Sequence, residues 1–246
     1  MAEELSNLCA GLRLTEEEKQ EVHVLVEEVL LSIEKSKRCL VALVVADNEV
    51  NKGAFQATMS KAWKVEGQVL FKELGSNKVL IGFQNVYEKE RVLEGRPWSF
   101  DRSLVCLFNC EGCLAPKDFE FNIEPFWLQL HDLPFVSMNK TMGEKVGAAA
   151  GQVVSIDVDA GDMAWRSYLR VRVSLDITKP LIHGKVLSMG GKRYWIPFKY
   201  ERLPIFCFQC GAIKHEALSC SRSHLGGKPR EEAAMQYGSW LRASSQ

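Results

Sequence analysis

Apolar residues recur at helical spacing near the N-terminus of this 246-residue chain. Thr15 and Glu18 form a capping-box pattern, and acidic residues crowd the turn that follows. The apolar positions then recur every three or four residues, at Val22, Leu25, Val26, Val29 and Leu30. This pattern predicts a helix over residues 15–34, inside an acidic segment of residues 1–36. The helix either packs on the rest of the chain or recruits a protein partner.

From Cys39 onward, the pattern alternates between strands and helices. The strands are predicted at residues 40–45, 69–74, 79–83 and 104–108, and the helices at 51–63 and 86–93. This order is that of a ferredoxin-like fold, which RNA-recognition motifs share. We therefore predict an α+β chain whose residues 37–116 form a ferredoxin-like (RNA-recognition-motif-like) βαββαβ domain.

The third predicted strand bears on whether this sheet reads bases. RNA-recognition motifs place stacking aromatic residues on the exposed face of that strand. Here Val79, Ile81 and Phe83 are expected to face the core, and none of the residues between them is aromatic. A scaffold or protein-contact domain of the same shape is the alternative to base readout.

A second α+β segment is predicted over residues 117–203. Its strands are expected at 126–130, 153–158, 168–175, 185–189 and 194–200, and its helix at 139–149. Along strand 168–175, Arg170 and Arg172 point away from the apolar face. They either face phosphates or are ordinary solvated residues of the sheet.

The strongest chemical signal is a C-x2-C-x4-H-x4-C motif formed by Cys207, Cys210, His215 and Cys220. Three thiolates and one imidazole make a closed tetrahedral zinc set. So short a loop buries little apolar surface, so the metal must supply its folding free energy, on the order of 10 kcal/mol. Gly211 allows a tight bend after the second cysteine. We predict a CCHC zinc knuckle over residues 204–223, with Zn²⁺ as cofactor, because free thiols would leave the spacing unexplained.

Knuckles of this kind occur in proteins that bind single-stranded nucleic acid. Phe208 and Ile213 are expected to form an apolar platform for a base, and the phosphates are expected to meet Lys214, Arg222, Lys228 and Arg230. Lys214 departs from the glycine that usually precedes the histidine. In the alternative interpretation, Phe208 only covers the zinc sulfurs. A polar tail follows over residues 224–246, and in it Tyr237, Trp240 and Leu241 are candidates for a short docking element.

Charge and cysteine content narrow the functional class. The chain has 31 basic and 31 acidic residues, which argues against a purely electrostatic, histone-like binder. Basic residues concentrate around the knuckle. Zinc-bound and free thiols fit a reducing compartment, nucleus or cytoplasm, and no signal peptide or transmembrane segment is recognisable. Cys106, Cys110 and Cys113 are weak candidates for a second metal site, because no histidine lies near them.

Several sequence marks occur in a fixed order and carry a family resemblance. They are residues 96–101 (RPWSFD), 126–134 (FWLQLHDLP), 168–173 (YLRVRV), 199–204 (KYERLP) and 237–242 (YGSWLR). With the knuckle, they resemble a plant family that joins a domain of unknown function to a zinc knuckle. That family is similar to the nucleic-acid-binding first-frame protein of LINE-type non-LTR retrotransposons. The resemblance implies zinc and nucleic-acid binding by a retrotransposon-derived protein.

The sequence therefore predicts zinc-dependent, non-catalytic binding of single-stranded RNA or DNA. The alternative is a protein–protein interaction or scaffold module with a purely structural knuckle, which a partner would contact through the N-terminal helix or the ferredoxin-like domain. No P-loop, H-E-x-x-H or G-x-S-x-G motif indicates an enzyme, and His131 and Asp132 are expected to be structural. Neither a membrane nor a small-molecule substrate is expected as a partner.

Overall fold

The structure is a computed structural model that describes residues 15, 17, 20, 23, 25–110, 119–214, 220 and 236–244. Residues 1–35 form one compact unit and residues 36–246 another. Helix α1 (Val26–Ser36) begins eleven residues after the predicted start at Thr15. Glu18, the predicted capping partner of Thr15, lies outside the described residues. None of the described helices is long and apolar enough to cross a membrane.

The first sheet has the ferredoxin-like order. Its elements are β1 (Cys39–Val44), α2 (Lys52–Trp63), β2 (Leu70–Gly75), β3 (Lys78–Gly82), α3 (Val86–Glu94), β4 (Trp98–Phe100) and β5 (Ser103–Asn109). The strands lie in the order β2-β3-β1-β5-β4, with every pair antiparallel. Apart from the short edge strand β4, which the sequence did not predict, this confirms the βαββαβ prediction.

The helices of this unit lie on one face of the sheet. The Asn51 side chain caps α2 by accepting a hydrogen bond from the Ala54 amide. Phe55, Met59 and Trp63 follow at four-residue spacing, and all three are buried against the sheet. This face therefore forms the helix-side core of the unit, as the sequence pattern predicted.

The opposite face of the first sheet is covered as well. Val41, Leu104 and Cys106 are at most 1% exposed and belong to the same buried cluster as the second sheet. The Phe108 ring lies 6.0 Å from that of Phe121, which precedes the second sheet. In an RNA-recognition motif, this helix-free face is the one that bases stack on. Here its β1 and β5 positions form an internal packing surface.

The second sheet repeats the strand order of the first. Its elements are β6 (Ile123–His131), α4 (Lys140–Gly147), β7 (Gln152–Asp157), β8 (Tyr168–Asp176), β9 (Gly184–Met189) and β10 (Lys192–Tyr200). The order β7-β8-β6-β10-β9 matches β2-β3-β1-β5-β4 position by position. In the first sheet, α3 follows β3. Residues 177–183, which follow β8 at the equivalent place, hold no helix. The sequence predicted these elements but not the repeated topology.

Helix α4 packs closely on one face of this sheet. The Asn139 side chain caps it by accepting a hydrogen bond from the Met142 amide. Added Cβ atoms on Gly143 and Gly147 would lie 2.9 Å from Ile156 and Val171, so only glycine permits this approach. The apolar side chains of β6, β8 and β10 fill the core beneath the helix.

The other face of the second sheet carries two arginines that have partners within the protein. The Arg170 guanidinium lies 3.9 Å from the centre of the Trp127 ring and pairs with Glu201 at 2.7 Å. Arg172 donates a hydrogen bond to the Glu94 carbonyl at 2.7 Å. Both arginines thus have structural partners, so neither is the simple solvated residue that one alternative expected.

Candidate metal centre and nucleic-acid interface

Three of the four predicted zinc ligands meet at one point. The Sγ atoms of Cys207, Cys210 and Cys220 all lie within 4.8 Å of one another, and Cys207 and Cys220 are 3.9 Å apart. Tetrahedral zinc with bonds of about 2.3 Å to sulfur requires sulfur atoms about 3.8 Å apart. The donor set and its spacing therefore fit zinc. The fourth predicted ligand, His215, lies outside the described residues.

A tight turn brings the first two cysteines together. The Cys207 carbonyl accepts a hydrogen bond from the Gly211 amide at 2.7 Å, and the Cys207 amide donates to the Ala212 carbonyl at 2.9 Å. Gly211 has φ +81°, which disfavours any side chain. An added Cβ there would also lie 2.3 Å from the Tyr237 ring. Both the backbone conformation and the close ring explain the predicted need for glycine.

The knuckle is held against the body by backbone hydrogen bonds. The amide of Leu181 donates to the Gly211 carbonyl, and the amides of Ile213 and Lys214 donate to the Ile177 carbonyl. The Tyr237 ring stacks on His183 at 4.6 Å. Sequence patterns had indicated Tyr237 as a docking residue, but no local signal points to residues 177–181, because their contacts with the knuckle arise only from the fold.

Phe208 and Ile213, the two residues of the predicted platform, differ in exposure. Phe208 is 39% exposed and its ring lies 5.0 Å from that of Phe206. Ile213 is only 8% exposed and belongs to the large core cluster. This burial argues against base contact by Ile213, whose amide is held by the Ile177 carbonyl. Phe208 alone remains available for stacking.

Lys214 is also engaged inside the protein. Its Nζ atom donates to the Phe121 carbonyl and to Asn122 Oδ1, both at 3.0 Å. These bonds tie the knuckle to the segment that leads into β6, so Lys214 braces the knuckle in this structure, whereas the sequence predicted a phosphate contact. The remaining predicted phosphate ligands, Arg222, Lys228 and Arg230, lie outside the described residues.

The acidity of the cysteines follows from their surroundings. Burial and the neighbouring thiols of Cys207 and Cys220 raise the pKa of Cys210 to about 11. Metal-free, this thiol therefore stays protonated at neutral pH, and zinc must displace its proton.

Burial also raises the pKa of Cys106, whose side chain is 1% exposed. Cys113 lies outside the described residues, and within them only the three knuckle cysteines form a cluster able to hold a metal.

Comparisons with known proteins match two segments of the chain. Residues 32–109 match the family model described as a domain of unknown function (DUF4283), and residues 175–222 match the zinc knuckle model. No curated protein sequence matches the chain.

Among solved structures, the crystal structure of the first two RRM domains of yeast poly(U)-binding protein (Pub1) aligns with this chain. The alignment covers 66% of this chain and 98% of the Pub1 chain. The identity is 12% and the TM-score 0.23. At that TM-score, the strand order described above is the better evidence for the fold. The C-terminal segment is thus similar to zinc knuckles, and its cofactor is zinc.

Proposed function

We propose that this protein binds single-stranded RNA or DNA in a zinc-dependent manner and catalyses no reaction. The observation that carries the proposal is the zinc knuckle itself. Its three sulfurs have zinc spacing, and Phe208, beside the first of them, is 39% exposed. An exposed aromatic ring next to a knuckle is a site on which a base stacks, worth ~1–3 kcal/mol.

Packing of the two sheets favours the knuckle over the sheets as the site of base contact. The helix-free face of the first sheet is buried through Val41, Leu104 and Cys106. On the second sheet, the Arg170 guanidinium already covers the Trp127 ring. Both faces are covered at these positions, and Trp195 on β10 is the 53% exposed aromatic residue that lies apart from them. The order of the domain of unknown function and the knuckle, together with the resemblance to LINE first-frame proteins, supports a retroelement origin in plants.

Fluorescence anisotropy with labelled mixed-sequence RNA and DNA single strands at low salt tests the proposal. We expect the wild-type protein to bind and Cys210→Ser to lose both zinc and binding. Phe208→Ala should keep zinc but weaken binding about tenfold, the equivalent of one lost stacking contact. Phe135→Ala is the matched control, because Phe135 is a 62% exposed phenylalanine outside the knuckle. No binding of any single strand by the zinc-loaded wild type would reject the function.

One observation favours the second candidate function, a protein-interaction module. Phe135, Val136 and Trp165 are each more than 60% exposed, and the rings of Phe135 and Trp165 lie 5.3 Å apart. Exposed apolar clusters of this kind mark protein contacts more often than nucleic-acid contacts. If Phe135→Ala abolishes a protein interaction and the zinc-loaded wild type binds no single strand, this candidate replaces the first.

A further inference from the structure

A strongly basic groove opens where the end of β10 passes the edge of the first sheet. It encloses about 810 Å³. No carboxylate lines it, although the chain as a whole has zero net charge. Five cationic side chains line it: Lys64, Arg91, Arg102, Arg202 and Arg242. We call it the arginine groove.

Three of these cations are fixed in place by backbone carbonyls. Arg91 donates to the carbonyls of Trp63 and Lys64. Arg202 donates to the Gly95 carbonyl at 3.0 Å, and Arg242 to the carbonyls of Leu203 and Pro204. Carbonyl oxygens position a guanidinium but leave its full charge, and each guanidinium has further donors to offer. The groove therefore holds preorganised positive charge.

The other two cations are exposed. Lys64 and Arg102 have no side-chain hydrogen bond or ion pair within the part of the chain that the structure describes. Both sit on left-handed backbone, at φ +50° and +64°. Lys64 ends helix α2, and Arg102 lies in the turn between β4 and β5. Both side chains therefore start from loops that border the groove. Five like charges converging on one groove repel one another unless an anion binds there.

The groove runs directly into the knuckle. Leu203, Pro204 and Ile205 form part of its wall, and the first zinc ligand, Cys207, follows two residues later. Two residues span at most about 7 Å. Trp98 adds an apolar ring to the lining of the groove. A strand whose base stacks on Phe208 therefore has a path for its phosphates straight into the cationic groove.

We propose that the arginine groove binds the phosphate backbone of the single strand whose base the knuckle contacts. This inference rests on the proposed function and adds a second, separable site to it. The knuckle then contacts a base, and the groove supplies most of the electrostatic attraction. Affinity should change little when the bases of the strand segment in the groove are varied, because phosphate contacts position a strand without recognising its bases.

The test removes the two unpaired charges without disturbing the fold. Asparagine tolerates left-handed backbone, so the double variant Lys64→Asn/Arg102→Asn keeps the local conformation. Lys140→Gln/Lys145→Gln is the matched control, because it removes two positive charges from exposed positions on α4. Anisotropy titrations of a labelled 15-nucleotide single strand over a range of salt concentrations give affinity and salt slope for both.

We expect the groove variant to lower the slope of log affinity against log salt by about 1.4, which is two lost phosphate contacts on a single strand. Its affinity near 0.1 M salt should fall on the order of 10-fold, while zinc content and the α4 control stay at wild-type values. A groove variant with wild-type slope and affinity, beside a Cys210→Ser variant that loses binding, would overturn the groove and leave the proposed function standing. If the zinc-loaded wild type binds no strand, both fall together.

Discussion

Glu124 is a fully buried carboxylic acid at the start of β6. Neither carboxylate oxygen has a well-formed hydrogen bond among the described residues, and the nearest cation, Arg96, lies 3.8 Å away. Burial raises the pKa of Glu124 to about 8, and attraction to Arg96 and the Leu107 backbone offsets only part of that rise. The side chain is therefore mostly neutral at physiological pH. Ionising this carboxyl group costs free energy in the folded protein but not in the unfolded chain.

The sign of the resulting pH dependence follows directly. Between the unfolded pKa near 4.5 and the folded pKa near 8, the folded protein holds a proton that the unfolded chain has released. Stability therefore falls as pH rises through this window. Glu124→Gln removes the effect, so the variant should match the wild type near pH 5 and exceed it by a few kcal/mol at pH 8.5. Urea unfolding at both pH values measures this difference.

Glu201→Gln is the control for that experiment. Burial alone would raise the pKa of Glu201, but hydrogen bonds from Arg170 and Gln129 outweigh it and lower the pKa. Its ionised form is thus favoured by folding, so this variant should lose stability at neutral pH. A Glu124→Gln effect that is the same at pH 5 and pH 8.5 would show that the carboxyl is not preferentially protonated in the folded state.

At the scale of elements, the C-terminal tail shows how a short segment stabilises the fold. Ser239–Leu241 forms a 3-10 turn, Leu241 is 1% exposed, and the Ala243 amide donates to the Tyr200 carbonyl. Leu241→Ala should lower the free energy of unfolding by about 2–4 kcal/mol, because it opens a cavity in the large core. Trp240→Ala is the matched control, since Trp240 is 54% exposed and should cost little. Equal urea midpoints for the two variants would contradict docking through Leu241.

Local pattern was enough to predict most elements but not their partners. Alternation placed β8 correctly, because its inward residues Leu169, Val171 and Val173 are all fully buried. The same pattern cannot tell which strand lies beside β8, so the repeated sheet order was not predictable. The N-terminal helix was predicted from Thr15, whereas its described part is Val26–Ser36, because hydrophobic spacing alone does not locate the start of a helix.

The candidate site was likewise predictable only where its residues lie close together in sequence. Cysteine spacing predicted the zinc ligands, because metal geometry constrains the sequence locally. Ile213 and Lys214 were assigned to ligand contact, because nothing local shows that Ile177 and Phe121 lie against the knuckle. Lys64 and Arg102, 38 residues apart, reach one groove only in the folded chain.

At the scale of the whole molecule, the knuckle is continuous with the core. Phe206, Ile213 and Tyr237 belong to the same buried cluster as β6, β8 and β10. Zinc should therefore stabilise the body as well as the knuckle, since losing the metal frees the turn that places these side chains. A stripped protein should unfold at a midpoint lower by at least about 5 °C, the shift expected for a loss of roughly 2 kcal/mol in a chain of this size.

Differential scanning calorimetry before and after dialysis against a chelator measures this shift, with zinc content determined on the same samples. Cys110→Ser is the control, because Cys110 is a half-buried cysteine outside the knuckle, so its midpoint should still respond to the chelator. Cys207→Ser should begin at the low midpoint and not respond. If the stripped wild type keeps its midpoint while losing zinc, the knuckle folds independently of the core, and the burial of Ile213 and Tyr237 does not couple the two.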